Sequence, residues 1–471
     1  MKVKESSYIK SNKPLFKKLV DELLKKYEYA SVLVNDSLGK NYAVSKTGTI
    51  VAESDIYTSR GYVVKVYDGG CYAEFSGNRI SEEEIDNVVR LVSEQLVVLG
   101  KKAEKSQYAI PADEAASFAK STECKIDPET FGDEEIVKKL TEIHKKGMAF
   151  DEKILNCNVR AAFQRYSKLF LSKNKDLEQN VMWTSAAVSV NTKRGSEVKT
   201  AYKSGSLLGG MEMLDRLDGM VEESAKVSIE LLDSEPMKPG EYECVCTPEV
   251  TGMIVHEAFG HGVEMDMFVK DRALAQKYVG EYVASPLVTM HDGNAVDQTA
   301  TYFFDDEGTV SSDTVVIDKG ILVAGISDLQ SAMALGTKPT GNGRRESYER
   351  KAYTRMTNTY FEPGTDKVED MIASVKDGLL LEMPFSGMED PKNWGIQCMV
   401  NFAREIKDGK LTGKIFSPIV LTGYVPDLLK SISMMSDTKE LGGAGFCGKG
   451  YKEWVKVSDG GPYIKAKIRL G

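Results

Sequence analysis

Two of the four histidines in this chain bracket a short run with a glutamate beside the first: His256-Glu257-Ala258-Phe259-Gly260-His261. Neutral imidazoles bind Zn²⁺, and a carboxylate next to them can take a proton from a metal-bound water. These are the residue types that metal-assisted peptide hydrolysis uses. The familiar arrangement puts the histidines at i and i+4 of one helix. Here they stand at i and i+5, which a regular α-helix separates by roughly 140°. Sharing one metal then requires a π-type widening, or a helix that ends near Gly260 or Gly262. The spacing predicts a local distortion of the helix. The plain alternative is an amphipathic helix carrying two surface histidines.

A catalytic zinc site needs a third protein ligand and an open position. Glu264 is nearest, three residues past His261. His144 and His291 each stand alone, and Asp266 is also available. Asp305-Asp306-Glu307 reads as a solvated turn ahead of Gly308. Cys447 lies in the glycine-packed run Gly442-Gly443-Ala444-Gly445-Phe446-Cys447-Gly448-Lys449-Gly450. Glycines let backbone approach a metal closely, and Lys449 nearby would favour a thiolate. Spacing alone does not choose between Glu264 and Cys447. Gly443 to Lys449 also fits the opening of a phosphate-binding loop. However, Gly450 stands where Ser or Thr should be, and Tyr451–Val457 alternates like a strand instead of opening a helix.

The elements that must position these residues follow from periodicity. Leu15, Phe16, Leu19, Val20, Leu23 and Leu24 predict a helix over 13–28, with Pro14 in its first turn. Gly69-Gly70 splits two alternating stretches into a hairpin, and Ser81 with Glu84 opens a helix through Leu99 that Gly100 stops. The segment 101–132 reads as an irregular linker. A helix at 133–148, alternating strands over 153–204 and a long helix at 211–233 follow, a weak echo of the first helix–strands–helix unit. Pro236 and Pro239-Gly240 mark a boundary. The expected division is an N-terminal α/β domain over 1–233, a linker over 234–240 and a C-terminal domain over 241–471. The fold class is α+β, with helices on a mixed sheet first, then a largely antiparallel β domain carrying the motif helix. Hairpins are expected around Asp318-Lys319-Gly320 and Asp408-Gly409, and helices at 327–335 and 366–377.

At 471 residues, 42% apolar and 28% charged, the chain has an ordinary globular composition. Its net charge of −9 and the lack of any basic run argue against direct nucleic-acid binding. No apolar stretch is long enough to span a membrane, and the N-terminus reads without a secretory signal. Seven scattered cysteines suit free thiols in a cytoplasmic setting. Cys244-Val245-Cys246 reads as strand, with its thiols expected on opposite faces.

Several segments together resemble the TldD branch of the TldD/PmbA family, zinc metallopeptidases some of which carry the historical name modulators of DNA gyrase. They are His256–Glu264, Asp305-Asp306-Glu307-Gly308-Thr309, Pro339–Tyr348, Arg355–Tyr360 and Cys447-Gly448-Lys449, in the family's order. The resemblance is dense over roughly 240–450. It implies Zn²⁺ held by His256, His261 and Cys447, with Glu257 as general base. It implies cleavage of peptides or unfolded polypeptides, and a homodimer or a heterodimer with a PmbA-type subunit. Gly450-Tyr451-Lys452-Glu453 departs from the acidic-Gly-Gln continuation common in the family. Arg344 and Arg345 are expected to hold either a substrate carboxylate or the acidic turn. The rival reading is a non-catalytic assembly partner whose zinc is structural or absent.

Overall fold

The computed structural model describes residues 1–54, 56–102, 110, 113–443, 445–451 and 453–471. The first half is built on one eight-stranded sheet. Its elements are α1 (Ser7–Leu24), β1 (Tyr29–Ser45), β2 (Gly48–Glu53), β3 (Ser59–Asp68), β4 (Cys71–Gly77) and α2 (Glu82–Lys102). They are followed by β5 (Ala116–Ser121), the single turn α3 (Pro128–Phe131), α4 (Asp133–Met148), β6 (Ile154–Ser172), β7 (Lys175–Arg194), β8 (Glu197–Leu207) and α5 (Leu217–Glu230). The order is β4-β3-β1-β6-β7-β5, with β2 also against β1 and β8 also against β7. Only β5 runs parallel to its neighbour.

Side-chain alternation explains the layers. Ala30, Val32 and Val34 of β1 meet α1 and α2, while Tyr42 and Val44 of the same strand meet α4 and α5. Even-numbered β1 residues share one face, so all four helices cover one side of the sheet. On the other side Leu33, Phe170 and Leu177 pack against Phe304 from the second half.

Three expectations for this half are corrected. α1 begins at Ser7, because the Ser6 hydroxyl accepts from the Ile9 N–H at 3.1 Å and caps it, so Pro14 lies inside the helix. α2 runs two residues past Gly100. The segment 101–132 is not uniformly irregular, since it contains β5 and α3. Residues 103–109 and 111–112 of that segment lie outside the described residues.

The second half contains an eleven-stranded sheet. β9 (Gly240–Cys246) pairs with Asp377–Asp390 on one edge and with Ser458–Leu470 on the other. Gly395–Lys407 and Ile419–Tyr424 complete the circuit, closing five strands into a barrel. Cys244 and Cys246 share one core and Val245 faces another, because residues two apart on a strand point the same way. The expected opposition of the thiols was therefore wrong. Helix α6 (Pro248–Ile254) packs against Asp377–Asp390 and Ser458–Leu470, and nearly all its residues are buried. Its one charged residue, Glu249, stays partly exposed and pairs with Lys203 of β8 at 2.7 Å.

The acidic turn is also corrected. Asp305, Asp306 and Glu307 are 2%, 5% and 6% exposed, not solvated. Lys168 of β6 pairs with Asp306, and Lys65 of β3 lies 2.8 Å from Glu307. Asp305 accepts the N–H groups of Glu307, Thr309 and Gly343. Buried carboxylates need such partners, and here the cations come from the first sheet. No helix among the described residues is long and apolar enough to cross a membrane.

Candidate metal centre

At Val255, α6 gives way to a π-helical turn over Val255–Gly260. The His261 N–H donates to the His256 carbonyl five residues back. This wider turn brings i and i+5 to the same side, which the sequence spacing demanded. The two imidazole rings lie 5.1 Å apart at 88°. Gly260 is needed here, because a Cβ would sit 2.1 Å from the Met356 sulfur.

Cys447 arrives on the strand Phe446–Lys449, which forms a hairpin with Glu453–Lys456. Arg355, itself buried, donates to the Cys447 carbonyl and to the Glu453 carbonyl, pinning both strands. One donor atom from each of His256, His261 and Cys447 lies within 4.8 Å of the others. The Cys447 Sγ is 3.5 Å from His261 Nε2. Burial alone would raise the Cys447 thiol, but the neighbouring His261 and His256 hold it well below its ordinary range. Burial would lower His261, yet the thiolate and Glu264 push it well above the usual imidazole value. Two imidazoles and a thiolate form a donor set that suits zinc, and thiolate character is what a metal ligand needs.

Glu264 takes a different place from the ligand role open to it in the sequence. Its Oε2 lies 3.2 Å from His261 Nδ1, so it orients the ring from behind. Lys449 does not contact the thiol. Its ammonium is shared between two buried carboxylates, Glu264 at 3.0 Å and Asp266 at 2.7 Å, and Lys270 supplies Asp266 with a second cation at 3.1 Å. His144 bonds the Cys157 carbonyl and His291 bonds Asp313, so neither joins the cluster.

Glu257 is half-buried and faces a cleft of about 870 Å³ that His256 also lines. β8, Met383–Gly387 and Glu440–Gly443 form its other walls. Gly387 is packed so closely that a Cβ there would lie 2.3 Å from the Glu257 Cγ.

Residues 239–469 match the model of the PmbA/TldA metallopeptidase C-terminal domain. The chain belongs to the TldD/PmbA family. A Methanothermobacter thermautotrophicus protein named a metalloprotease is 31% identical over 58% of this chain and 60% of its own length. A Methanocaldococcus jannaschii metalloprotease is 25% identical over 95% of this chain and 97% of its own. A Saccharolobus solfataricus protein named a zinc metalloprotease TldD homolog is 32% identical over 52% of this chain and 54% of its own. Among solved structures, TldE from Thermococcus kodakarensis superposes with a TM-score of 0.77 at 17% identity, covering 97% of this chain and all of the other. A proposed modulator of DNA gyrase from Bacteroides thetaiotaomicron gives 0.78 at 18%, covering 98% and 99%.

Other polar groups of this TldD/PmbA chain cluster around the site without any sequence signal of their own. Asp459 lines the same cleft as Glu257, and its carboxyl is pushed up to about 6 by burial, His256 pulling the other way. Both Glu389 oxygens are buried without a partner among the described residues, and burial pushes that carboxyl well above its ordinary value. A Cβ on Gly262 would lie 2.6 Å from Glu389 Oε1. Arg345 is buried and paired with Glu74 at 3.0 Å, while its N–H donates to Asp306. The Arg344 guanidinium donates to the Met356 and Lys456 carbonyls. Both arginines line a second cavity, which shares Phe446 with the cleft that Glu257 lines.

Proposed function

We propose that this chain hydrolyses peptide bonds in peptides or unfolded polypeptides, with Zn²⁺ held by His256, His261 and Cys447. The observation that carries this reading is the convergence of the three donor atoms within 4.8 Å beside a cleft that His256 and Glu257 line. The names of the relatives, metalloprotease and zinc metalloprotease, support it. When bound, zinc supplies Lewis-acid polarisation of the scissile carbonyl and acidifies a water.

The chain's own residues do the rest. Glu257 faces the cleft, where it takes the proton from the attacking water and returns it to the leaving amine. Gly387 leaves room for that side chain. Glu264 and Lys449 hold His261 in register. Among the described residues β8 has β7 as its only strand partner; Asn401 and the Met383 sulfur take the Thr200 carbonyl and the Tyr202 N–H, and residues 204–206 border the cleft and offer backbone to an extended substrate. The reading places the catalytic residues in a domain over 241–471, joined by 234–240 to an N-terminal domain over 1–233. It also places the chain in the cytoplasm, as a homodimer or beside a PmbA-type subunit.

A closed four-ligand site would favour a purely structural zinc. Glu264, the other ligand candidate that the sequence offers, directs its Oε2 to Lys449 and to His261 Nδ1, behind the ring from the Cys447 sulfur. The test is Glu257→Gln in the full chain, with zinc measured by elemental analysis and cleavage followed on an unfolded polypeptide. The reading expects about one zinc per chain in both forms and turnover only in the native one. Zinc absent from both, or equal turnover in both, overturns it.

A further inference from the structure

The second cavity lies between the two sheets and encloses about 80 Å³, room for roughly six water-sized groups. Four cations, Lys168, Arg344, Arg345 and Lys456, and three carboxylates, Asp305, Asp306 and Glu346, line it. Lys168 is paired with Asp306 and Arg345 with Glu74. Among the described residues neither Arg344 nor Lys456 makes a direct ion pair, and the carboxylate that acts on Lys456 is Asp459, on the side of the cleft. Arg344 and Lys456 are neighbours, since the Arg344 guanidinium donates to the Lys456 carbonyl at 2.7 Å. Lys456 is only 5% exposed, and its ammonium has no hydrogen-bond partner. It rests over the rings of Trp183 at 4.7 Å and Phe446 at 4.9 Å. A buried ammonium without a partner is costly, and cation–π contact offsets only part of that.

We propose that this cavity is a subsite for the carboxylate of a peptide, with Lys456 and Arg344 as its counter-charges. The inference rests on the peptidase reading and extends it to the substrate. The walls decide between an organic carboxylate and a bare inorganic anion. Trp183, Phe446 and Trp454 supply apolar surface beside the two cations, which suits an anion carried on an amino-acid body. Position links the subsite to the chemistry. Phe446 lines both cavities and precedes Cys447, and Lys456 pairs with Phe446 across the hairpin. A chain end seated here therefore lies within reach of the cleft.

The test is equilibrium binding to the zinc-loaded full chain, read by tryptophan fluorescence and by calorimetry, since Trp183 and Trp454 both line the cavity. The probes are N-acetyl-alanine, N-acetyl-alanine amide, N-acetyl-aspartate α-amide (side-chain carboxylate free) and inorganic phosphate. A hydrogen bond between charged groups predicts that the free acid binds about ten-fold or more tighter than its amide. Lys456→Met abolishes that difference, and Arg344→Met reduces it. Acid and amide binding equally to the native chain overturns the proposal. Phosphate binding as tightly as the acid also overturns it, by making this an inorganic-anion site. Tight binding of the aspartate α-amide in place of N-acetyl-alanine assigns the subsite to an acidic side chain instead of a chain end. Because no turnover is needed, acid–amide discrimination by a chain that cleaves nothing would refute the peptidase reading and leave the subsite standing.

Discussion

Glu264 Oε2 stands 3.2 Å from His261 Nδ1, on the far side of the ring from the Cys447 sulfur. The carboxylate fixes which nitrogen of His261 faces the cluster. Lys449, itself paired with Asp266, in turn holds the carboxylate. Partners of this kind typically change metal affinity by about 10–100-fold when removed. Glu264→Gln is therefore expected to weaken zinc binding by about that factor, measured by competition with a chromogenic chelator. Glu264→Gln with native affinity would show that the ring is held by something else. Cys447→Ala, which removes a donor outright, is expected to lose more.

Gly387 controls the other half of the site. A methyl there overlaps the Glu257 Cγ at 2.3 Å, and Glu257 must move to admit it. Gly387→Ala is expected to keep its zinc and lose kcat, by about ten-fold or more, since a positioned base contributes about 10²–10⁴. Zinc content and turnover measured on one preparation check this. Loss of zinc together with activity would mean that the strand itself had shifted.

How much of this was legible in the sequence depended on distance along the chain. The π turn at Val255–Gly260 was legible, because two histidines at i and i+5 cannot share a metal on a regular helix. Spacing left Cys447 level with Glu264, because it stands 186 residues from His261 and only the fold joins them, and the family resemblance alone pointed to it. The turn at 305–307 looked solvated for the same reason: its cations, Lys65 and Lys168, belong to another sheet. The hairpins around Gly69-Gly70 and Asp408-Gly409 were read correctly from their turn residues, whose chemistry is local. Glu389, Asp459 and Lys456 carried no signal, since burial alone makes them unusual.

Lys65 and Glu307, 2.8 Å apart and both buried, couple the first sheet to the acidic turn. Lys65→Met leaves the Glu307 carboxylate buried without its nearest cation. Breaking a buried pair from one side costs about 3–5 kcal/mol. The variant is expected to unfold at clearly lower temperature. Adding Glu307→Gln is expected to restore part of the loss, because the stranded charge is gone. Strictly additive losses in calorimetry would show that the pair is not coupled.

Lys456 makes the opposite prediction. Burial holds its ammonium down to about 7, against the pull of Asp459. In the unfolded chain the same group titrates near 10.5. Below pH 7 both states carry the proton, so the folded state bears the whole cost of burying it. Between pH 7 and 10.5 the unfolded state binds more protons, and stability contributed at this position rises with pH. A pKa gap of about 3.5 corresponds to at most about 5 kcal/mol, part of it offset by the two aromatic rings. Lys456→Met keeps the stem and removes the charge. It is expected to stabilise the ligand-free protein at pH 6 by a few kcal/mol, with the gain shrinking at pH 9. Thermal unfolding of both forms at the two pH values checks this. A variant less stable than the native chain at pH 6 would mean that the ammonium has a counter-charge after all.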